Sequence, residues 1–214
     1  MEVIEVADKL QNGYLKTRVL AWYIVMKNHK ILFATGEPGN FWRCTETMKL
    51  PMDEIDMLFL SQGYQDSIRE LEYFLTCNNK AKIYVSRKNN ETYLRAIYYK
   101  LFSYTGQAHI PVWEKRIIFI DKSIRIEDDI QIFTEEVSDN YQCQNLIIGE
   151  DEMQVLFVNG RRNTVELAQT LAASISGYHI NYLFYSGKQG DGIRKNCITG
   201  KREKVVDGQT IICM

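Results

Sequence analysis

Three histidines (His29, His109 and His179) and five cysteines (Cys44, Cys77, Cys143, Cys197 and Cys213) are all the imidazole and thiol that this 214-residue chain can bring to a metal or a reaction. Zinc and iron-type metals prefer such ligands, and their sites draw them at short repeated spacings. Here the histidines lie far apart and no two cysteines form a CxxC pair. Each histidine therefore reads as a surface or hydrogen-bonded residue. No cysteine has a sequence-visible histidine base to activate it as a nucleophile. Glu127-Asp128-Asp129 and Glu135-Glu136 are acidic clusters that read as solvated turns at strand ends. Gly187-Lys188-Gln189-Gly190-Asp191-Gly192 is glycine-rich but lacks the spacing of a phosphate-cradling loop. There is no G-x-S-x-G elbow and no G-x-G-x-x-G after a strand.

The elements that would position any site follow from hydropathy pattern. Hydrophobic residues make up 45% of the chain and charged residues 25%, enough apolar material for a sizeable core in one domain spanning residues 1–214. The net charge of −1 gives no global attraction to nucleic acid or an anionic membrane, although a local basic patch is compatible with it. The odd, scattered cysteines and the absence of a signal-like or membrane-length apolar run point to a soluble protein in the reducing cytoplasm. Arg18–Met26 (RVLAWYIVM) and Lys30–Phe33 flank Asn28-His29 as a hairpin. Short strands are predicted at Asp56–Leu60, Lys82–Val85, Arg116–Ile120, Ile130–Thr134, Leu146–Ile148, Val155–Val158, Ile180–Tyr185 and Thr210–Cys213. Helical periodicity predicts helices over Gln65–Cys77, Glu91–Ser103 (unusually aromatic) and Thr164–Ser176, the last ending at Gly177. Hairpins mixed with strand–helix units imply an α/β (α+β) fold in which two sheets pack with helices outside.

One stretch adds a resemblance. Lys30–Leu75 reads KILFATGEPGNFWRCTETMKLPMDEIDMLFLSQGYQDSIRELEYFL. Its turn Ala34-Thr35-Gly36, then Gly39-Asn40-Phe41, then Ile55-Asp56 leading to Ser61-Gln62-Gly63-Tyr64-Gln65-Asp66-Ser67 and Leu71-Glu72-Tyr73-Phe74-Leu75, resembles the first half of a metallo-β-lactamase-fold domain. The nearest branch is similar to the dihydropterin–aminobenzene phosphate synthases of methanopterin biosynthesis. That branch has a D-T-G turn, G-N-F and a helix, an I-D strand, an S-H-G-H-x-D-H loop and a G-G-L-E-Y-F-L helix. Farther on, Met153–Leu171 resembles the strand, G-C-S-H-x-G-I loop and helix of the family, with Arg162 at the histidine position. Ile180–Lys188 resembles the strand ending in G-G-F-H, with Lys188 at its histidine, and Cys197-Ile198-Thr199-Gly200 resembles H-C-T-G, with Cys197 at its histidine. The implied fold is an αββα four-layer sandwich, trimmed at the C-terminus, where QGDGIRKN stands in place of a helix and strand.

The resemblance implies a dinuclear metal site at positions that here carry Gln62, Tyr64, Ser67, Arg162, Lys188 and Cys197, with only Asp66 retaining the family's residue type. Amide, phenol and hydroxyl are poor ligands at neutral pH. The expectation is a degenerate site without metal, cofactor or catalytic residues, in which Asp66 takes its counter-charge from Arg162 or Lys188. The simplest outcome is an internal ion pair closing the pocket. The alternative is a cationic cleft of Arg161, Arg162 and Lys188, with Arg43 nearby, for a phosphate or carboxylate ligand. Read without the resemblance, the loop is a strand-to-helix connection with Asp66 near the helix start. The function expected is binding, of an anionic small molecule or a protein partner. Two rivals are a divergent hydrolase using Asp66, Tyr64, Cys197 and Lys188 without the usual metals, and an inactive subunit that dimerises with an active homologue.

Overall fold

A computed structural model describes residues 1–9, 17–35, 41–61, 71, 73–89, 115–138, 141–150, 153–160, 180, 182–187, 192–195 and 202–203. The first sheet is β1 (Glu2–Lys9), β2 (Thr17–Val25), β3 (Lys30–Ala34), β4 (Met57–Leu60), β5 (Lys82–Ser86) and β6 (Ile117–Ile120), paired in sequence order. β1, β2 and β3 are antiparallel, whereas β3 through β6 run parallel. Parallel neighbours need a crossover over one face of the sheet. Between β3 and β4 it contains helix α1 (Phe41–Thr47), and between β4 and β5 it contains a second helix, described at residues 71 and 73–77.

The second sheet is β7 (Ile124–Glu127), β8 (Ile130–Ser138), β9 (Tyr141–Glu150), β10 (Met153–Gly160), β11 (Tyr182–Gly187), β12 (Gly192–Lys195) and β13 (Arg202–Glu203). It is antiparallel except between β10 and β11, which run parallel with Gly160 opposite Gly187.

The apolar runs divide by side-chain alternation. Ile31 and Phe33 of β3, Met57 and Phe59 of β4, and Tyr84 of β5 face inward, packed with Ile132, Leu146, Ile148, Val155, Phe157 and Phe184 of the second sheet. Their neighbours Leu32, Ala34, Leu58, Leu60, Ile83 and Val85 face outward onto Phe41, Leu71 and Phe74 of the two helices. A parallel strand covered on both faces reads as an unbroken apolar run, which is why MLFL and KIYV show no polar alternation. Ile147, Leu156, Val158 and Leu183 of the second sheet do not belong to this inner cluster and are buried as well. The first sheet is thus covered on both faces, and so are the middle strands β9, β10 and β11 of the second, as the sandwich class expected from the sequence requires.

Several expectations shift in detail. The segment Glu2–Lys9 is a strand; its alternation sends Val3 to the inter-sheet core and Val6 to the helix side. Four residues of the stretch read as a trimmed remnant, Gly192–Lys195, form β12, held by pairing with β11 despite weak apolar character. Glu135 and Glu136 lie inside β8 rather than in a turn, because β8 continues four residues beyond Thr134 in register with β9. Asp128-Asp129 is indeed a turn, but Glu127 ends β7 and contacts His29 at 2.8 Å, so His29 is a paired residue joining the two sheets. His109, His179, Cys197, Cys213 and the expected elements at Glu91–Ser103, Thr164–Ser176 and Thr210–Cys213 lie outside the described residues. Cys44 and Cys77 are half-buried and Cys143 is buried, none of the three in a disulfide, and no helix among the described residues is long and apolar enough to cross a membrane.

Candidate functional site

The parallel strands of the first sheet end at one edge of the sandwich, and polar residues replace apolar ones there. Thr35 follows β3, Ser61 follows β4, Ser86 ends β5, Gln142, Gln144 and Asn145 lie near the start of β9, and Asn159 lies one residue before the end of β10. All seven are buried. Strand ends leave backbone groups that must be paired. The Thr35 hydroxyl donates to the carbonyls of Val19 at 2.9 Å and Leu20 at 3.0 Å. The Ser61 hydroxyl donates to the Gln144 carbonyl at 2.7 Å, and the Gln144 N–H returns to the Ser61 carbonyl at 2.9 Å. The Ser86 hydroxyl donates to Gln142 Oε1 at 2.8 Å, and Gln142 Nε2 reaches the Asp121 carbonyl at 3.2 Å. Asn159 Nδ2 donates to the Thr35 carbonyl, while the Asn159 backbone N–H donates to Asn145 Oδ1 at 3.2 Å. These bonds stitch the two sheets together, so the ends of β3, β4 and β10 share one edge.

The stitching is incomplete. Gln144 Nε2 and Oε1, Asn145 Nδ2 and Asn159 Oδ1 are buried and have no hydrogen-bond partner among the described residues, and the same holds for Trp22 Nε1. An unpaired buried polar atom costs about 1–3 kcal/mol. Several together at one edge mark a place where the chain gives up stability. The rings of Trp22, Phe33 and Phe157 lie below, with Trp22 centred 5.7 Å from both phenylalanines. Phe33 and Phe157 each precede their edge residue, Thr35 or Asn159, by two positions on the same strand face.

The residues expected from the sequence to form the site sit just beyond these strand ends. Gln62, Tyr64, Asp66 and Ser67 follow Ser61, Arg161 and Arg162 follow β10, Lys188 follows β11 and Cys197 comes two residues after β12; all of them lie outside the described residues. Arg43 is described, exposed on α1. Sequence reading missed the buried amides. A signal existed: Gln142, Gln144 and Asn145 place polar groups on both faces of an apolar strand, and Asn159-Gly160 abruptly ends the run VLFV.

No family model matches the chain, and no curated protein sequence matches it. Solved structures do. The apo state of the chemotaxis sensor ODP from T. denticola is 13% identical, with 94% of this chain and 96% of that chain covered at a TM-score of 0.55. A Thermotoga maritima protein assigned as a metallo-β-lactamase is 15% identical, covering 91% and 98%, with a TM-score of 0.52. AidC, a dizinc quorum-quenching lactonase, is 11% identical, covering 89% and 81%, with a TM-score of 0.53. The fold is that of the metallo-β-lactamases. Identity this low carries the fold alone, and the metallo-β-lactamase fold serves a sensor and a lactonase alike, so chemistry must be argued from this chain's own residues.

Proposed function

We propose that this metallo-β-lactamase-fold protein acts by binding rather than by metal-dependent hydrolysis, taking an anionic ligand or a partner at the edge where β4, β10 and β11 end. The observation that carries the reading is Ser61. It closes β4 against Gln144 at the polar edge, and the next six residues, Gln62 to Ser67, bring amide, phenol and hydroxyl where the fold's metal enzymes bring imidazole. The described donors at the same edge are hydroxyls and carboxamides, a neutral set that does not fit a transition metal. The motif likeness to the dihydropterin–aminobenzene phosphate synthase-like branch belongs to the same reading and rests on Ala34-Thr35-Gly36, Gly39-Asn40-Phe41 and Leu71–Leu75.

Asp66 then needs a counter-charge other than a metal. β10 and β11 run parallel with Gly160 opposite Gly187, so Arg161, Arg162 and Lys188 leave adjacent strands from the same end. A guanidinium or ammonium there suits Asp66 first and a phosphate or carboxylate ligand second. Elemental mass spectrometry on protein purified without added metal is expected to find no stoichiometric zinc, iron or manganese. A stoichiometric metal lost on Asp66→Ala would overturn the reading. Titration with a phosphate monoester should raise the melting temperature in a concentration-dependent way, and Arg162→Ala with Lys188→Ala should abolish that rise. Turnover of phosphodiesters, thioesters or lactams dependent on Cys197 or Tyr64 would support the divergent-hydrolase rival instead.

A further inference from the structure

We infer that β6 is the pairing edge of a homodimer, in which Ile117–Ile120 of two copies of this chain run antiparallel across a two-fold axis and join their first sheets into one. The inference is independent of the binding reading above.

Among the described residues four strands end the two sheets, β1 and β6 the first and β13 and β7 the second. An open strand edge invites pairing with another chain, and proteins blunt such edges with bulges, charges or shortness. β1 is bulged between Val6 and Ala7 and carries Glu2, Glu5, Asp8 and Lys9. β7 is bulged between Arg125 and Glu127 and carries both of those charges. β13 is two charged residues, Arg202 and Glu203. β6 reads IIFI, without charge, proline or bulge. Its composition is that of the internal strand MLFL. Yet MLFL is buried throughout, whereas Ile117, Ile118 and Phe119 are each half-exposed. A strand with the sequence of an internal one lies at an edge.

The flanking charges select the second copy as its neighbour. A two-fold axis between antiparallel strands stands perpendicular to the sheet, so residues opposite one another share a face. Ile118 and Ile120 lean toward the inter-sheet core, and Ile117 and Phe119 toward the helix side. The axis must therefore pass through one residue pair. Centred on Ile118, it sets Ile117 opposite the partner's Phe119 and brings the exposed Lys115 alongside the partner's Asp121. Asp121 holds Arg87 through Oδ1 at 2.7 Å, which leaves Oδ2 for that ammonium. Centred on Phe119 instead, the axis would set Ile117 against a carboxylate and Arg116 against Lys122. Segment 115–121 is thus self-complementary in one register, apolar in the middle and oppositely charged at its two ends.

The second layer agrees. β6 and β7 are joined by three residues, so the two sheet edges lie on one side of the sandwich. An axis perpendicular to the layers brings the two β7 edges abreast as well, and with them Ile124, a large hydrophobic residue exposed at 44%. The contact is small beside the roughly 1,200–2,000 Å² of a standard interface, so the dimer is expected to be weak and concentration-dependent.

Sedimentation equilibrium on the full chain should show a mass rising with concentration toward twice 25.0 kDa. Amide exchange at Ile117–Ile120 should slow over the same range. Lys115→Glu sets like charges against Asp121, and Asp121→Lys sets like charges against Lys115. Each should weaken association by about tenfold, an effect that added salt diminishes. An equimolar mixture of the two variants restores both opposite-charge pairs and should associate about as tightly as wild type. Ile118→Lys, which places two ammonium groups across the axis, should abolish the dimer; if it does not fold, the two exposed variants still decide. A monomeric mass up to millimolar protein would overturn the inference, whether the β6 amides are then protected within the single chain or open to a different protein's strand. Single variants that leave the dimer unweakened, or a mixture that does not recover it, would place the interface elsewhere and overturn it equally.

Discussion

At the scale of single residues, one asparagine contrasts with the incomplete edge. Asn78 is 1% exposed. Its Nδ2 donates to the carbonyls of Met52 and Ile55, each at 2.9 Å, and its Oδ1 accepts the N–H groups of Lys80 at 3.0 Å and Ala81 at 2.8 Å. One side chain thus satisfies the loops before β4 and before β5 together. Asn78→Ala is expected to cost about 2–3 kcal/mol, because four backbone groups, three of them in buried hydrogen bonds, lose their partner at once. Urea unfolding measures it, and a loss under half a kilocalorie per mole would refute the keystone role. Asp56 acts nearby. Burial alone would raise its pKa, but the Lys80 ammonium at 2.9 Å and the Lys30 backbone N–H at 3.0 Å outweigh burial and hold the carboxyl below its ordinary range. A depressed folded-state pKa means stability that is present above the unfolded value of about 3.9 and lost as pH falls through the folded one. Asp56→Asn should therefore melt below wild type at neutral pH, by a gap of less than about 1 kcal/mol given solvent screening. Melting curves from neutral to strongly acid pH should show that gap closing. A gap that widens on acidification would reverse the assignment.

At the scale of elements, α1 shows how a short helix is held. Its seven residues are too few to stand alone, since isolated helices of that length are marginal in water. Phe41 and Thr45 bury one side against the first sheet, and Trp42 packs in a tilted arrangement on Tyr73 of the second helix with ring centroids 3.8 Å apart. The Tyr73 hydroxyl donates to Glu46 at 3.0 Å, and that carboxylate, with Cys77 next, pushes the phenol pKa up to about 12. The helix ends in a reversal in which the Leu50 N–H bonds the Thr45 carbonyl at 3.0 Å and the Lys49 N–H bonds Glu46 at 3.1 Å. That pattern forces a left-handed residue just past the helix end, and Lys49 occupies it with φ of 53°. Glycine takes this conformation without the steric cost a Cβ brings. Lys49→Gly is expected to stabilise the protein by about 1 kcal/mol, read as a higher denaturant midpoint. A destabilised variant would mean that the lysine side chain contributes more than its backbone costs.

At the scale of the whole molecule, protection should follow the layering. β3, β4 and β5 are internal to a sheet buried on both faces, whereas β7 is an edge strand with Ile124 at 44% exposure. Native-state hydrogen exchange should leave the amides of Ile31–Ala34 and Met57–Leu60 among the slowest of the described set and those of Ile124–Glu127 among the fastest. Equal rates across both would contradict one cooperative core shared by the two sheets.

Much of this organisation was legible in the chain itself. Unbroken apolar runs at MLFL and KIYV, bracketed by polar turns, specify strands covered on two faces, because alternation is lost only when both faces meet apolar neighbours. The identities Gln62, Tyr64, Asp66 and Ser67 and their place after a buried strand were legible too, and with them the expectation of a site short of metal ligands. Tertiary structure decided what no local window contains. β12 exists by pairing with β11, and Glu136 is a strand residue facing Lys88 because β8 extends along β9. Above all, Ser61 meets Gln144 across 83 residues and Asn159 meets Thr35 across 124. Periodicity reports which face of an element is buried. It carries no record of which distant polar group will lie opposite, and a shared edge of buried amides arises only when two sheets close on each other.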